Sequence, residues 1–167
     1  DAYRDHDRAI SQRIYDSVGR LADGAIRVFR HARGFAPAPL SLPPGFERAP
    51  RVTAMGAQLK GTVCLLQDGH AVLSQHTGDL DDLRTLQEHR RTLRVLSELY
   101  EHAPALIAVD MHPDYPSSRD GARLAEQRGL PLVSVQHHHA HIAACLAEHD
   151  LPLDHPPVLG IALDGLG

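Results

Sequence analysis

Residues 105–149 read ALIAVDMHPDYPSSRDGARLAEQRGLPLVSVQHHHAHIAACLAEH, and their pattern decides the fold. Ala105–Val109 is a short apolar run of the kind that forms a buried strand, and it ends on Asp110. Pro113 and Pro116 fix an irregular connection, and Ser117 or Ser118 is placed to cap a helix over Ser117–Arg128 that Gly129 closes. Leu132–Val135 reads as a second strand. His138–Glu148 reads as a helix whose amphipathic pattern continues through Ile142, Cys145 and Leu146. Strand and helix alternating at this rhythm imply parallel strands joined by helical crossovers, where ligands gather beyond the carboxyl ends of the strands.

Working outward, Val158–Leu163 reads as a further strand that ends in Asp164-Gly165. Upstream, Val52–Met55, Thr62–Leu66 and Ala71–Gln75 are three short β-prone stretches, and Asp68-Gly69 between the last two is a strong hairpin turn. From Asp79 to about His102, Leu83, Leu86, Leu93, Leu96 and Tyr100 recur at helical spacing behind Asp79, Asp81 and Asp82, acids that suit a helix start. The order β-β-β-α-β-α-β-α-β predicts an α/β fold, a mixed sheet with helices on its faces. Residues 36–50, APAPLSLPPGFERAP, hold five Pro in 15 residues, which denies a helix or a central strand and reads as a linker. Before it, Ala9–Val18 and Ala25–Arg30 flank the turn pair Asp23-Gly24 and suit a hairpin, too small to bury much apolar surface alone.

Composition sets limits. The 167 residues are 43% apolar and 23% charged, as in a folded globular chain, and no apolar run approaches the ~20 residues of a membrane-spanning helix. The opening DAYRDHDR lacks the apolar core of a secretory signal. With 17 basic and 21 acidic residues the net charge is −4, which gives no bulk-charge signal for nucleic acid. Two Cys without a CxxC spacing suit a reducing, cytoplasmic compartment. The chain opens on Asp1 rather than Met and stops just after an apolar run, so it reads as a window cut from a longer polypeptide.

Four motifs carry chemistry. His137 and His141 stand four apart on a helix, the spacing by which two imidazoles share a metal, and Asp164 at the end of the following strand is the natural carboxylate partner. Nitrogen and oxygen donors with open positions suit Zn, Fe or Mn. Cys145, a turn beyond His141, is either a third ligand or a small buried apolar residue. ALDGLG, residues 162–167, lets the backbone approach a phosphate or a metal. Lys60, the single lysine, sits in the loop GAQLKG and reads as a phosphate or carbonyl contact or as a solvated turn residue. Asp110, His112 and Asp114 line a pocket or simply stiffen a loop. No GxSxG signature of a serine hydrolase occurs.

The runs AMGAQLKGTVCLLQDGHAVLSQHTGDLDD, VDMHPDYPSSR, VSVQHHHAHIAACLAEH and VLGIALDGLG, in this order, resemble the HypF carbamoyltransferases of [NiFe]-hydrogenase maturation. HDRAISQRIYDSV and RVFRHARGFAPAPLSLP resemble the end of that family's YrdC-like domain and its link to the next. The resemblance implies that residues 1–35 are a remnant of the YrdC-like domain and 36–50 a linker. Residues 51–167 would then be the first lobe of a transferase domain of the actin-like ATPase (ribonuclease H-like) type. It implies an activity that turns carbamoyl phosphate and ATP, with Mg, into carbamoyl adenylate and passes the carbamoyl group to the C-terminal Cys of a HypE-type acceptor protein. It assigns a divalent metal, Zn or Fe, to His137, His141 and Asp164, and a charge-offsetting catalytic role to Lys60. Cofactor contacts fall to Arg13, Asp16, Ser17, Gly165 and Gly167. Two departures stand out: Tyr15 precedes Asp16-Ser17-Val18 where the family reads DDSV, and Leu166 replaces the Thr of DGTG. The isolated window is expected to be incomplete as a catalyst. Other readings are an O-carbamoyltransferase of small-molecule biosynthesis and an inactive metal- or partner-binding fragment.

Overall fold

The computed structural model describes residues 13–165. The elements are β1 (Val18–Ala22), β2 (Ala25–Arg30), β3 (Pro39–Ser41), β4 (Val52–Ala54), β5 (Cys64–Gln67), β6 (His70–Leu73), α1 (Leu83–Leu99), β7 (Leu106–Asp110), α2 (Pro116–Arg128), β8 (Leu132–Val135) and α3 (His137–Glu148). β1 and β2 form a separate two-stranded sheet, and the other six strands form one mixed sheet in the order β3-β6-β5-β4-β7-β8. β3, β6, β5 and β4 pair antiparallel, whereas β4, β7 and β8 run parallel. This is the expected mixed α/β sheet, with the parallel half built from the strand–helix alternation.

Local chemistry explains most boundaries. Both tight turns, Asp23-Gly24 and Asp68-Gly69, hold both residues at positive φ, 52° and 75° in the first and 51° and 75° in the second, the geometry that matches strand twist. Asp82 caps α1 by accepting a hydrogen bond from the Thr85 amide at 2.9 Å. Pro116 occupies the first turn of α2, where a missing N–H costs nothing, and Gly129 closes the helix at φ 63°. Gln136 caps α3 through the His139 amide at 2.8 Å.

Several expectations are corrected. The expected strand Ala9–Val18 begins only at Val18, because Ser17 is used to tie the hairpin base; residues 9–12 lie outside the described residues. The Pro-rich stretch is not a bare linker, since Pro39–Ser41 forms an edge strand against β6, a place where Pro is tolerated. Neither Ser117 nor Ser118 caps α2: Tyr115 holds the cap position, Ser118 donates to the Asp110 carbonyl at 2.9 Å, and Ser117 is buried. Val158–Leu163 forms no strand. Among the described residues no strand lies beside it to complete a ladder, and a two-sided apolar segment without such a partner leaves Leu159 and Leu163 in solvent.

The core lies on one face of the sheet. Met55, Ile107, Val109 and Ala125 form one buried cluster, Val63, Leu65, Val72 and Leu96 another, and Leu93 of α1 packs against both. α2 comes close to the sheet because residue 121 is glycine: a Cβ there would stand 2.3 Å from Val109. The buried Asp120 accepts hydrogen bonds from Arg90 and Arg123 and so ties α1 to α2. Alternate residues Ala54, Ala108 and Asp110 point to the other face, toward the start of α3. No helix among the described residues is long and apolar enough to cross a membrane.

Candidate metal centre

β4, β7 and β8 run parallel, so their carboxyl ends lie side by side, and the polar groups are delivered there. Asp110 ends β7, and Gln136 with His137 follows β8 directly. Because α3 begins at His137, one residue earlier than expected, His137 and His141 occupy one face of its first turns. The chain then returns along α3, with Gly160 against Ile142, a contact that leaves no room for a Cβ. This return brings Asp164 to the same two imidazoles.

The three donors converge. His137 Nε2 and His141 Nε2 are 3.2 Å apart, and Asp164 Oδ2 lies 3.4 Å from the first and 3.2 Å from the second. Ligand atoms on a tetrahedral ion with bonds of ~2.0–2.1 Å stand about 3.3 Å from one another. All three separations therefore fit a single first-row divalent ion, with positions left open for a further ligand. Among the described residues this is the one group of three such donors.

Electrostatics favour the same reading. The Gly165 amide donates to Asp164 Oδ1 at 2.8 Å, and that hydrogen bond, aided by His141, His137 and His138, holds the carboxyl below its usual range. Asp164 is thus an anion over the whole neutral range. Asp110 Oδ2 stands 2.7 Å from His137 Nδ1, and Asp110 Oδ1 accepts from the His112 amide at 2.8 Å. With Nδ1–H donating to this carboxylate, His137 keeps its Nε2 lone pair free for a ligand role. Sequence reasoning did not single out Asp110 for this task. The signal was present: it is the carboxylate ending the strand beside the one that leads into HHHAH.

Other residues fall elsewhere. Cys145 is neither ligand nor core; it is exposed, its thiol 3.8 Å from His149 Nδ1. The reason is that α3 buries none of its side chains. Gly165 sits at the centre, its carbonyl 3.3 Å from His138 Nε2. Gly167 and Leu166 lie outside the described residues. Lys60 is not gathered with the histidines: Gly56 and Ala57 line the cavity beside them, of about 300 Å³, whereas Lys60 lines a separate cleft toward the hairpin. Arg13, Asp16 and Ser17 are also apart from the centre. Asp16 pairs with Arg33 at 3.5 Å, Ser17 links to the Arg33 carbonyl and the Ala32 amide, and the Arg13 carbonyl accepts from Gln75.

Residues 47–148 match the family model of the HypF Kae1-like domain. Over its whole length the chain is 47% identical to the carbamoyltransferase HypF of Rhodobacter capsulatus and 41% identical to that of Synechocystis, covering 22% and 21% of those proteins. A crystal structure of full-length HypF in the phosphate- and nucleotide-bound form is similar with a TM-score of 0.75 and 38% identity over 87% of this chain and 22% of that one. The HypF structure of T. kodakarensis gives 0.73 and 31% over 83% and 18%. The chain therefore spans about a fifth of the length of these relatives. A mixed sheet of the actin-like ATPase type, with the HHHAH helix at the carboxyl ends of its parallel strands, belongs within this match: the chain is a member of the HypF carbamoyltransferase family, matching its Kae1-like domain over residues 47–148.

Proposed function

We propose that this chain supplies the metal-bearing part of a carbamoyl-transfer site in a HypF-type protein that serves [NiFe]-hydrogenase maturation in the cytoplasm. The observation that carries the reading is the convergence of His137 Nε2, His141 Nε2 and Asp164 Oδ2 at ligand separations. A divalent ion such as Zn or Fe held there would act as a Lewis acid toward a nucleotide phosphate or an acyl oxygen. Asp110 fixes the His137 ring and its tautomer, and the Gly165 amide keeps Asp164 ionised. The small walls of the adjoining cavity, Ala54, Gly56, Ala57, Ala108 and Ala140, admit a compact group beside the donors.

The substrate reading rests on family membership. Carbamoyl adenylate, made from carbamoyl phosphate and ATP with Mg, is the donor, and the C-terminal Cys thiolate of a HypE-type protein is the acceptor. Sulfur attacks the carbamoyl carbon, the bond from that carbon to the adenylate oxygen breaks, and AMP leaves with the electron pair. The residues 1–35, 36–50 and 51–167 divide, in this reading, into the end of a YrdC-like domain, a connection and a first lobe. The chain alone is not catalytically competent, because the nucleotide cleft of this fold lies between two lobes.

Metal analysis tests the centre. Purified chain loaded with Zn retains close to one equivalent after dialysis, and His137→Ala and His141→Ala each lose most of it; unchanged metal content in both variants would discard the centre. ATP/pyrophosphate exchange dependent on carbamoyl phosphate is expected to stay at background, and activity above it would overturn the reading that the chain alone is not catalytically competent.

A further inference from the structure

α1 and α2 both cover the core face of the sheet, yet they do not close over it. A groove of about 320 Å³ runs between them and reaches down to Thr53 of β4 and to Met55. Leu93 of α1 and Leu124 of α2, both partly buried against the core, give it apolar walls. Its rim is cationic: Arg90 and Arg94 stand on α1, Arg123 and Arg128 on α2.

The four guanidiniums are not equivalent. Arg90 and Arg123 are both engaged by the buried Asp120, which accepts from Arg90 Nη2 at 2.8 Å and from Arg123 Nη2 at 2.6 Å and so braces the groove across its width. Arg94 and Arg128 are exposed and have no acidic partner among the described residues. Glu98 stands on the same rim and forms no ion pair with either of them. Four guanidiniums against the two carboxylates of Asp120 and Glu98 leave the groove two charges positive. The surplus extends over both helices, which carry seven arginines and four acids in a chain whose net charge is −4. A basic flank on an acidic chain is a field that an acidic partner can neutralise.

We propose that the groove between α1 and α2 docks an acidic segment of a partner polypeptide, its carboxylates on Arg94 and Arg128 and an apolar side chain seated between Leu93 and Leu124. The planar fork of arginine takes a carboxylate through two parallel hydrogen bonds. The volume, equal to about ten waters at ~30 Å³ each, holds one apolar anchor between its flanking carboxylates. A nucleic-acid backbone fits less well, because it calls for a continuous basic track, and here Glu98 and an apolar floor interrupt the arginines. The groove shares no lining residue with the cavity beside His137 and His141, which opens on the other face of the sheet. A partner held by α1 and α2 therefore leaves the candidate metal centre uncovered, and the docking surface stands independently of that centre.

Fluorescence anisotropy with a labelled peptide of alternating Glu and Leu, titrated with the chain at rising chloride, tests this. Saturable binding of one peptide per chain is expected, and it weakens as salt screens the exposed charges. Arg94→Gln and Arg128→Gln, on different helices and both exposed, each weaken it about fivefold, the scale of one exposed ion pair, with unchanged melting temperature. A peptide of alternating Glu and Ser binds more weakly, since it lacks the apolar anchor. Arg84→Gln, on α1 but outside the groove, and His137→Ala leave binding unchanged. Absence of saturable binding, wild-type affinity in both groove variants, or an equal loss in Arg84→Gln would overturn the site. So would equal binding of the Glu–Ser peptide, or tighter binding of an oligothymidylate of the same length, the latter by making the flank a nucleic-acid surface.

Discussion

On the flank covered by α1 and α2, Val63, Leu65 and Ile107 are completely buried, and Gly121 lets a helix backbone settle onto the strands. Across the same sheet, α3 buries none of its side chains, Leu132 and Val133 of β8 remain 43% and 42% exposed, and Leu159 is 89% exposed. The donors of the candidate metal centre all come from this lightly packed flank. Asp110, which ends a core strand and holds the His137 ring, links them to the dense flank. Rigidity is concentrated on one side, chemistry on the other, and the Asp110 carboxylate spans them.

The largest effect should come from emptying the dense flank. Ile107→Ala removes a fully buried side chain between Met55 and Val109 and is expected to cost about 2–5 kcal/mol, seen as a drop of roughly 10 °C in melting temperature. Gly121→Ala comes next, at about 1–3 kcal/mol, because its Cβ would meet Val109 at 2.3 Å and Met55 at 2.8 Å. A near-neutral result for both would erase the contrast between the flanks.

The dense flank is also the part that the sequence makes legible. Period-two apolar runs, the Asp-Gly turns and the leucine spacing of α1 are local signals, and the sheet follows from them. Asp164 was identifiable as a carboxylate partner of His137 and His141 because all three are ligand types at strand and helix ends. The strand expected over Val158–Leu163 was not formed, because strand propensity becomes a strand only when a neighbour completes its ladder, and that is a non-local condition. Asp110 was missed for a related reason: its pairing with His137 spans 27 residues and depends on β7 and β8 being parallel neighbours. Lys60 was expected near the histidines' chemistry, but the turn that aims it toward the hairpin is set by Gly78 and Thr77, which lie further along the chain.

Cutting the link between the flanks gives the next effect. Asp110→Asn keeps the turn, since the amide oxygen still accepts from His112 N–H, but removes the charge that orients and polarises His137. Metal affinity is expected to fall by about 10- to 100-fold while the melting temperature of the metal-free chain changes little. Competition with a chromogenic chelator measures the first and thermal denaturation the second. Equal affinity in the variant would show that α3 positions the donors unaided.

Acid should weaken the dense side first. Burial holds His89 and His102 below the usual imidazole range, so they stay neutral in the fold, whereas in the unfolded chain they take up a proton near pH 6.5. Below about pH 6.5 the unfolded state therefore binds more protons, and stability falls as pH drops. Both His89 nitrogens lack a hydrogen-bond partner, so His89→Leu is tolerated and flattens the slope of melting temperature against pH between 7.5 and 5.5. An unchanged slope would remove His89 as a source of acid sensitivity.

The smallest effect is the most telling about the open flank. Leu159 is 89% exposed, so Leu159→Ser gives up almost no buried surface in this chain, and the expected change is within about 0.5 kcal/mol, or some 2 °C in melting temperature. Asp164 is held near α3 by other contacts: Gly160 against Ile142, and the Gly165 carbonyl near His138. Metal affinity should accordingly match the unaltered chain. If Leu159→Ser instead lowers the melting temperature by 5 °C or weakens the metal tenfold, the apolar segment is covered in solution, by a second copy or by its own rearrangement, and the open flank is not open. If both quantities hold, the centre is assembled from α3, the returning segment and Asp110 alone, and its geometry does not depend on packing over the exposed leucines.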